Sequence, residues 1–480
     1  MVGIILAATA LMRARTAQGA SAWALFLILM PKVAFFPYLV FGARSFSGYI
    51  VKRKSSASEL DDVWKEFTRF FDSRRIFKKA ETPLVCAFEK LADTPFVGAR
   101  SVRLLRNAET FDVLKATLKE AKHSICFQYY TIHDDQIGRE LQVILRERAR
   151  AGIKVRVLYD SVGSRALTRR YVRELRGDGV EVHSFASTRF RILKPRFQMN
   201  FRNHRKLVMV DAKEPGVAGK IFVGGLNVGD EYLSRDPKIG FWRDTHLLIE
   251  GDPSIQGLQS FIADWYWSTR EKISFSASEA MDQGASASSK AQSELQPGKI
   301  PVLVLATGAV GLDGSAILAV LNAIHSSKKR IWLTTPYLVP PDQIISALQL
   351  AALRGVDVRV FVSKKSDHRI AKLASFPFFE QLLPFGVRIF QFLPGFMHQK
   401  VISVDDDLCY VGSTNLDNRS LRLNFEIGAW IQDRAFAAQV EAMLLDDLRQ
   451  SEEVFLKQIQ KTGLFHRLQS GVARLFGPIL

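Results

Sequence analysis

The stretch His204-Arg-Lys-Leu-Val-Met-Val-Asp211 recurs later in the chain as His398-Gln-Lys-Val-Ile-Ser-Val-Asp405. In both, a lysine stands two residues after a histidine, and an aspartate stands five residues after that lysine. Side chains two apart on a β-strand point to the same face, so each stretch presents an imidazole and an ammonium side by side. Two copies in one chain predict an internal repeat.

The similarity extends outward from these two stretches. Three further pairs of segments match: Phe127–Tyr130 with Thr335–Tyr337, Arg150–Val157 with Leu353–Val360, and Gly179–Val182 with Gly386–Ile389. A spacing of about two hundred residues is too long for a solenoid, so the pattern predicts two fused homologous domains. Within each, short β-branched strands alternate with amphipathic helices, which is typical of the α/β class.

We divide the chain into six segments on this basis. Residues 274–299 are rich in Ser, Ala and Gln and indicate a linker between the two repeats. The predicted segments are an N-terminal membrane anchor (1–50), a connector (51–99), a first repeat (100–273), the linker (274–299), a second repeat (300–450) and a C-terminal basic amphipathic tail (451–480).

The tail has apolar residues at helical spacing, with Lys461, Arg467 and Arg474 off the apolar stripe. The stripe consists of Leu464, Phe465, Leu468, Val472, Leu475 and Phe476. The pattern indicates a helix that lies on a membrane surface, or an ordinary helix packed on the second repeat.

The N-terminal region is apolar enough to predict a membrane anchor. Ser21–Gly42 carries Lys32 as its one charge, and its length suits a single bilayer crossing that Pro31 and Pro37 would kink. Val2–Leu11 is too short to cross alone and suits half of a hairpin. A cleaved signal peptide and a buried core helix are the alternatives. Four positive residues follow the segment and two precede it, which predicts a cytoplasmic body.

The overall charge restricts the class of partner. Lys and Arg total 66 against 48 Asp and Glu, giving a net charge of +18 and a pI near 9.8. Such a chain favours polyanions, either nucleic acid or an anionic membrane surface, and charge alone does not choose between them. The three cysteines form no CxxC pair, which argues against a disulfide framework and a thiolate metal site.

Each motif is followed by a glycine-containing turn and then by an acidic residue. Asn227 ends the first turn, while Ser413 and Asn415 lie in the second; we predict that these three side chains bind phosphate. Asp244 and Glu426 are the acids. A carboxylate on the far nitrogen of each imidazole would fix its tautomer, so both are predicted to orient the histidines.

Two such sets facing each other supply what phosphodiester chemistry needs. One histidine attacks phosphorus and a second, protonated histidine serves the leaving oxygen, while the lysines hold the phosphate. The predicted catalytic set is His204, Lys206, Asp211, His398, Lys400 and Asp405, in which the two aspartates tie down the motif backbone. The set requires no metal and no cofactor.

The chain resembles the phospholipase D (HKD) superfamily, and more narrowly the bacterial cardiolipin synthases. The matching strings are Asn200–Lys206, Gly229–Tyr232, Thr334–Val339 and Val411–Ser420. The resemblance implies two α/β/α repeats about a pseudo-dyad and a phosphatidyl-histidine intermediate, for which we assign His204 as nucleophile. It further implies that two phosphatidylglycerols give cardiolipin and glycerol at the inner membrane of a bacterium.

Other functions would use the same residues. A hydrolytic phospholipase D differs only in that water takes the phosphatidyl group. A nuclease or phosphodiesterase of the HKD type would also explain the positive charge, but it gains nothing from a membrane anchor. We therefore expect anionic phospholipids and the lipid bilayer as partners, and no nucleic acid.

Overall fold

The computed structural model describes residues 2–13, 17–41, 58–77, 82–185, 202–212, 219–277, 300–308, 314–366, 368–475 and 477. Most of the predicted linker, residues 278–299, lies outside the described residues.

The strands in the described residues form two matching series, one on each side of the linker. In the first half they are β1 (Val97–Arg106), β2 (Ser124–Tyr129), β3 (Lys154–Asp160), β4 (Glu181–Phe185), β5 (Leu207–Val210), β6 (Lys220–Gly224), β7 (Phe241–Arg243) and β8 (Thr245–Gly251). In the second half they are β9 (Ile300–Thr307), β10 (Arg330–Thr334), β11 (Asp357–Ser363), β12 (Arg388–Phe392), β13 (Gly395–Met397), β14 (Val401–Val404), β15 (Leu408–Gly412), β16 (Glu426–Gln432) and β17 (Ser451–Val454).

The α-helices follow the same division. Before the first strand lie α1 (Val2–Arg13), α2 (Ala17–Leu29), α3 (Pro31–Phe41), α4 (Asp61–Arg74) and α5 (Pro83–Ala92). The first half contains α6 (Glu109–Lys119), α7 (Gln136–Arg150), α8 (Arg169–Gly177) and α9 (Pro253–Thr269). The second half contains α10 (Ser315–Ser326), α11 (Asp342–Leu353), α12 (Arg369–Leu382), α13 (Asn418–Arg422), α14 (Arg434–Arg449), α15 (Leu456–Gln460) and α16 (Leu464–Arg474).

The two halves meet edge to edge in one sheet of 15 strands. Its order is β17-β12-β11-β10-β14-β15-β16-β9-β1-β8-β6-β5-β2-β3-β4. The central pair β9 and β1 is antiparallel, with Val97 opposite Val302. Counted outward from this pair, β1-β8-β6-β5-β2-β3-β4 corresponds strand for strand to β9-β16-β15-β14-β10-β11-β12. The predicted repeat of two α/β halves is therefore confirmed.

The core has three main parts, one of which is shared. One apolar cluster joins α6 and α7 to the outer strands of the first half, and a second joins α10, α11 and α12 to those of the second half. The third contains Trp265 of α9, Val440 of α14 and strand residues of both halves. Burial of each such large side chain contributes about 1.5–3 kcal/mol, so the shared cluster fixes the halves against each other.

Three predicted boundaries differ from the observed ones. β1 begins at Val97, inside the predicted connector, because its first residues pair with β9. Phe275 stacks on Phe67 of α4 with ring centroids 4.1 Å apart, and Phe275 and Ala277 lie in the shared core cluster, so the folded body extends past residue 273. β17 pairs with β12, so the second half extends past residue 450.

The N-terminal prediction is wrong in one respect. The predicted single helix over Ser21–Gly42 is two helices, since α2 ends at Leu29 and α3 begins at Pro31, whose ring nitrogen cannot donate to a preceding turn. Helix α1 packs against α2 so closely that a Cβ on Gly3 would lie 2.4 Å from the Leu27 carbonyl oxygen. Among the described residues, none of the helices has the length and apolar character needed to cross a bilayer.

Candidate active site

Each His-x-Lys motif leads into a short, wholly buried strand. In the first half this strand is β5, between β2 and β6; in the second it is β14, between β10 and β15. Lys206 Nζ donates to the carbonyl oxygen of His204 at 2.8 Å, and Lys400 Nζ donates to that of His398. Both lysines are buried, so the ammonium groups are held beside the imidazoles by their own backbone.

The motif aspartates lie at the far end of these strands. Asp211 accepts from the backbone N–H groups of Lys122, His123 and Ser124 at 2.8–3.0 Å. Asp405 accepts from three consecutive backbone N–H groups in the same way, those of Lys328, Lys329 and Arg330. Both aspartates have positive φ, 52° and 47°. They therefore fix the motif strand to its neighbour, away from the histidines.

Each motif histidine pairs with a carboxylate that belongs to the other half, an arrangement we call exchanged. His204 Nδ1 lies 2.9 and 3.0 Å from the two carboxylate oxygens of Glu426, which belongs to the second half. His398 Nδ1 lies 2.6 Å from Oδ2 of Asp244, which belongs to the first half. The sequence predicts both acids as partners of histidine, but spacing within one half gives no sign of the exchange.

Short backbone ladders between the halves produce this exchange. β13 pairs in parallel with β7, and the His398 N–H donates to the Arg243 carbonyl at 2.8 Å. On the other side, the His204 N–H donates to the Phe425 carbonyl at 2.9 Å. The backbone N–H of each histidine therefore bonds to the residue that directly precedes its carboxylate partner.

Burial and charge set the protonation of the first pair. Burial lowers the pKa of His204 to about 4, although the Glu426 carboxylate opposes the shift. Burial alone would raise the pKa of Glu426, but the His204 and Lys206 charges and the hydrogen bonds from His204 and Ser413 bring it below its usual range. Neutral His204 then donates its Nδ1–H to the carboxylate and keeps the Nε2 lone pair available.

The pKa values of Lys206 and Asp244 are also shifted. Burial lowers the pKa of Lys206 to about 7, with Lys400 adding to the effect and Glu426 opposing it. Burial would raise the pKa of Asp244, but the charge and hydrogen bond of His398 bring it below its usual range. A bound phosphate would favour the charged form of both lysines.

The predicted phosphate-binding side chains take different positions. Ser413 donates to Oε2 of Glu426 at 2.5 Å, so its hydroxyl holds the carboxylate. Asn227 accepts from the Thr131 N–H at 3.2 Å and donates to the Tyr232 hydroxyl at 2.7 Å. The Asn415 side chain donates a hydrogen bond to Asp417, and its buried Oδ1, which can only accept, has no hydrogen-bond partner within the described chain.

Sequence reasoning missed the groups that hold the middle residue of each motif. Arg205 Nη1 donates to Asp264 of α9 at 2.7 Å, and Gln399 Nε2 donates to Asp447 of α14 at 2.7 Å. Asp264 also accepts from Asn203 at 2.8 Å. Alternation along the strand indicates that the middle residue points away from the phosphate, but no motif marks its distant acidic partner.

One group of residues in the described part of the chain has side chains arranged as for a metal ion. It consists of His133, Asp135 and Glu231, and it includes none of the predicted catalytic residues. Asp135 is already engaged, because it accepts from the Gly138 N–H at 3.0 Å and the Asp230 N–H at 2.7 Å. The candidate site, formed by the two histidine–carboxylate pairs, therefore does not include this group.

Known proteins resemble the chain in both halves. A family model described as cardiolipin synthase, PLD-like domain matches residues 114–251 and 320–448. Cardiolipin synthase A of Pseudomonas putida (strain GB-1) is 42% identical over 487 residues, which covers 100% of this chain and 96% of that protein. Cardiolipin synthase A of Pseudomonas fluorescens (strain SBW25) is 40% identical over 486 residues, with the same coverage.

A solved structure shows the same fold at much lower identity. Phosphatidylserine synthase of Haemophilus influenzae Rd KW20 matches with a TM-score of 0.60 and 16% identity. The match covers 83% of this chain and 100% of that chain, so it extends over both halves.

Proposed function

Because this chain belongs to the family of cardiolipin synthases with phospholipase D-like domains, we propose that it converts two phosphatidylglycerols into cardiolipin and glycerol. Its class of reaction is phosphatidyl transfer. The observation that supports the mechanism best is the exchanged pair of histidine–carboxylate contacts, His204 with Glu426 and His398 with Asp244.

In the first step, Nε2 of neutral His204 attacks the phosphorus of one phosphatidylglycerol. A P–N bond forms, the P–O bond to the headgroup glycerol breaks, and protonated His398 gives its proton to the leaving oxygen. Glu426 stabilises the positive charge that develops on His204, and Asp244 keeps His398 protonated and oriented.

In the second step, a hydroxyl of another phosphatidylglycerol attacks the same phosphorus. Its proton goes to the now neutral His398, the P–N bond breaks, and His204 returns to its starting state. Lys206 and Lys400 hold the non-bridging phosphate oxygens throughout, and Nδ2 of Asn415 donates a further hydrogen bond to them. Asp211 and Asp405 keep each motif strand in place.

The experiment that tests this function follows the fate of the phosphatidyl group. The purified full chain in phosphatidylglycerol vesicles should form cardiolipin and glycerol in equal amounts, measured by mass spectrometry and a glycerol assay. Phosphatidic acid as the main product would identify a hydrolytic phospholipase D. Cleavage of single-stranded DNA without any lipid product would identify a nuclease.

Activity should survive removal of divalent cations. Two lysines already supply positive charge at the phosphate, so EDTA is expected to change the rate of cardiolipin formation less than about twofold. Spermine is the control, because it screens lipid headgroups without acting as a metal. Loss of activity in EDTA that Mg²⁺ restores and spermine does not would contradict the mechanism.

We further propose that the body of the protein acts on the surface of the bacterial inner membrane, from the cytoplasmic side. Helix α16 supports this proposal. It packs on α12 through buried Ser470 and Ala473 and through Arg467, which donates to Glu380 at 2.6 Å. Its opposite face leaves apolar side chains exposed: Leu464 84%, Phe465 73%, Leu468 64%, Val472 50% and Leu475 78%.

The chain just beyond this helix lies next to a segment that is hydrogen-bonded to α13. A Cβ built on Gly477, just beyond α16, would lie 3.5 Å from Val339, whose carbonyl accepts from Asn418 of α13. An apolar helix face flanked by basic residues suits the boundary between headgroups and acyl chains. There it would hold the site at the depth of the lipid phosphates.

Replacing Leu464, Phe465 and Leu468 with glutamine should weaken vesicle binding by about tenfold or more, because three exposed apolar side chains no longer enter the lipid. Co-sedimentation of the chain from Ser55 onward with anionic vesicles measures the effect. Leu353→Gln, another exposed leucine at 67%, is the matched control. Unchanged binding of the triple variant would show that α16 serves only to pack on α12.

A further inference from the structure

The cluster of His133, Asp135 and Glu231, outside the candidate active site, offers three ligand atoms that all lie within 4.8 Å of one another. Nδ1 of His133 lies 3.3 Å from Oε1 of Glu231 and 3.9 Å from Oδ2 of Asp135. Two ligands about 2.1 Å from a metal, at the tetrahedral angle, lie about 3.4 Å apart, so these separations suit one cation. The three side chains are 20–29% exposed, so water can reach the same position.

Backbone hydrogen bonds hold the Asp135 carboxylate in a fixed orientation. The Gly138 N–H donates to Oδ1 at 3.0 Å, and the Asp230 N–H donates to Oδ2 at 2.7 Å. A carboxylate oxygen has two lone pairs, so each bond leaves one lone pair on its oxygen. Carboxylates that bind metals are usually hydrogen-bonded in this way, because the bonds fix the ligand before the cation arrives.

The Glu231 carboxylate occupies space that a glycine leaves open. Gly229 has a φ of −178°, an extended conformation that any residue adopts, so the backbone does not require glycine there. A Cβ at this position would lie 2.5 Å from Oε2 and 2.9 Å from Oε1 of Glu231. Glycine at position 229 therefore lets the carboxylate fold back toward His133.

The second half forms the same turn without any of the three side chains. The His133 N–H donates to the Val228 carbonyl, and the Val339 N–H donates to the equivalent Leu416 carbonyl. Asp135 is the N-cap of α7, and Pro341 is the N-cap of α11. The segment Gly224–Leu233 aligns with Gly412–Leu421 without a gap, which places Arg419 opposite Glu231 and Asp417 opposite Gly229. The fold therefore does not require the cluster.

We propose that His133, Asp135 and Glu231 bind one divalent transition-metal ion, with Zn²⁺ preferred and water completing its coordination. One imidazole nitrogen and two carboxylate oxygens suit Zn²⁺ or Mn²⁺, of which Zn²⁺ binds such ligands more tightly, whereas Mg²⁺ and Ca²⁺ prefer oxygen ligands. The two carboxylates also balance the charge of the cation. This site is independent of the proposed function, because it includes none of the residues assigned to catalysis.

The metal would join two segments that flank the candidate active site. The first follows β2 and begins with Tyr130, whose ring centroid lies 4.9 Å from that of His204. The second is the single 3-10 turn Asp230–Leu233, in which the Tyr232 ring lies 6.3 Å from the His398 ring. A cation between these segments fixes one aromatic wall against the other and contacts neither catalytic histidine. It therefore stabilises the fold and takes no part in phosphatidyl transfer.

The test measures the binding of Zn²⁺ alone to the full chain, freed of any purification tag, by isothermal titration calorimetry. The wild-type protein should bind one Zn²⁺ per chain. H133N and E231Q should each weaken this binding by at least about tenfold, because each removes a ligand. H325N, at an exposed histidine on α10, is the matched control that should leave the affinity unchanged.

Thermal unfolding provides a second measurement. Zn²⁺ at about a hundredfold excess over its Kd should raise the thermal midpoint of the wild-type protein by about 3 °C, and that of E231Q by less than about 1 °C.

Two results would overturn the metal site. Equal Zn²⁺ affinity of the wild-type protein, H133N and E231Q would show that the ion binds elsewhere. A lower midpoint in H133N, together with no effect of Zn²⁺ on the wild-type protein, would show that His133 and Glu231 form only an ion pair. Neither measurement depends on cardiolipin formation, so failure of the metal site and failure of the proposed function are distinguishable.

Discussion

Replacement of either His204 or His398 with alanine should lower the rate of cardiolipin formation by about 10⁴-fold or more, because nucleophile and general acid act as one unit. For the same reason, the double variant should be about as slow as the slower single variant. Acid-free quenching of the wild-type enzyme and peptide mapping should locate the phosphatidyl group on His204. A phosphatidyl group on His398 would reverse the assignment.

The controls for this experiment concern folding. Both histidines pair with carboxylates that are fully buried, so alanine leaves a buried charge without its partner. Circular dichroism and the thermal midpoint identify a variant that has lost structure, and glutamine at the same positions restores a hydrogen bond. Full activity of either folded single variant would refute a mechanism that uses both half-sites.

The exchange of carboxylates predicts a second large effect with a distinctive pattern. Glu426→Gln and Asp244→Asn should each slow cardiolipin formation by about 10²–10⁴-fold, because an amide no longer fixes the tautomer or stabilises the imidazolium. Glu441→Gln, at an acid that pairs with Arg330 outside the site, is the control.

A lipid substrate with a p-nitrophenol leaving group separates the two carboxylates. This leaving group needs no proton, so D244N should release p-nitrophenol in the first turnover at a rate near that of the wild-type enzyme, and only the later breakdown of the intermediate should be slow. E426Q should stay slow, since it impairs the nucleophile His204. If each carboxylate served the histidine of its own half, the two variants would behave in the opposite way.

The repeat and the candidate catalytic residues can be picked out from sequence because both depend on local spacing. A histidine and a lysine two apart, on an apolar run that ends in an aspartate, describe one strand and its chemistry. What local spacing misses is the origin of each carboxylate, because the pairing of β13 with β7 joins residues more than 150 positions apart.

The N-terminal error has a different physical cause. A membrane helix tolerates proline, so the sequence predicts a continuous helix in spite of Pro31. In the structure α2 ends just before that proline, and α1 packs along α2, with Leu6 and Ala10 buried in the same cluster as Leu27. Hydropathy measures apolar length but not whether neighbouring segments fold onto each other.

The exchanged carboxylates also limit how such a protein can arise. A single half contains a histidine without its acid and an acid without its histidine, so an ancestor of one repeat could work only as a symmetric dimer. Gene fusion preserves both pairs and at the same time releases them from symmetry. Glu426 and Asp244 can then diverge independently, which an identical pair of subunits cannot achieve.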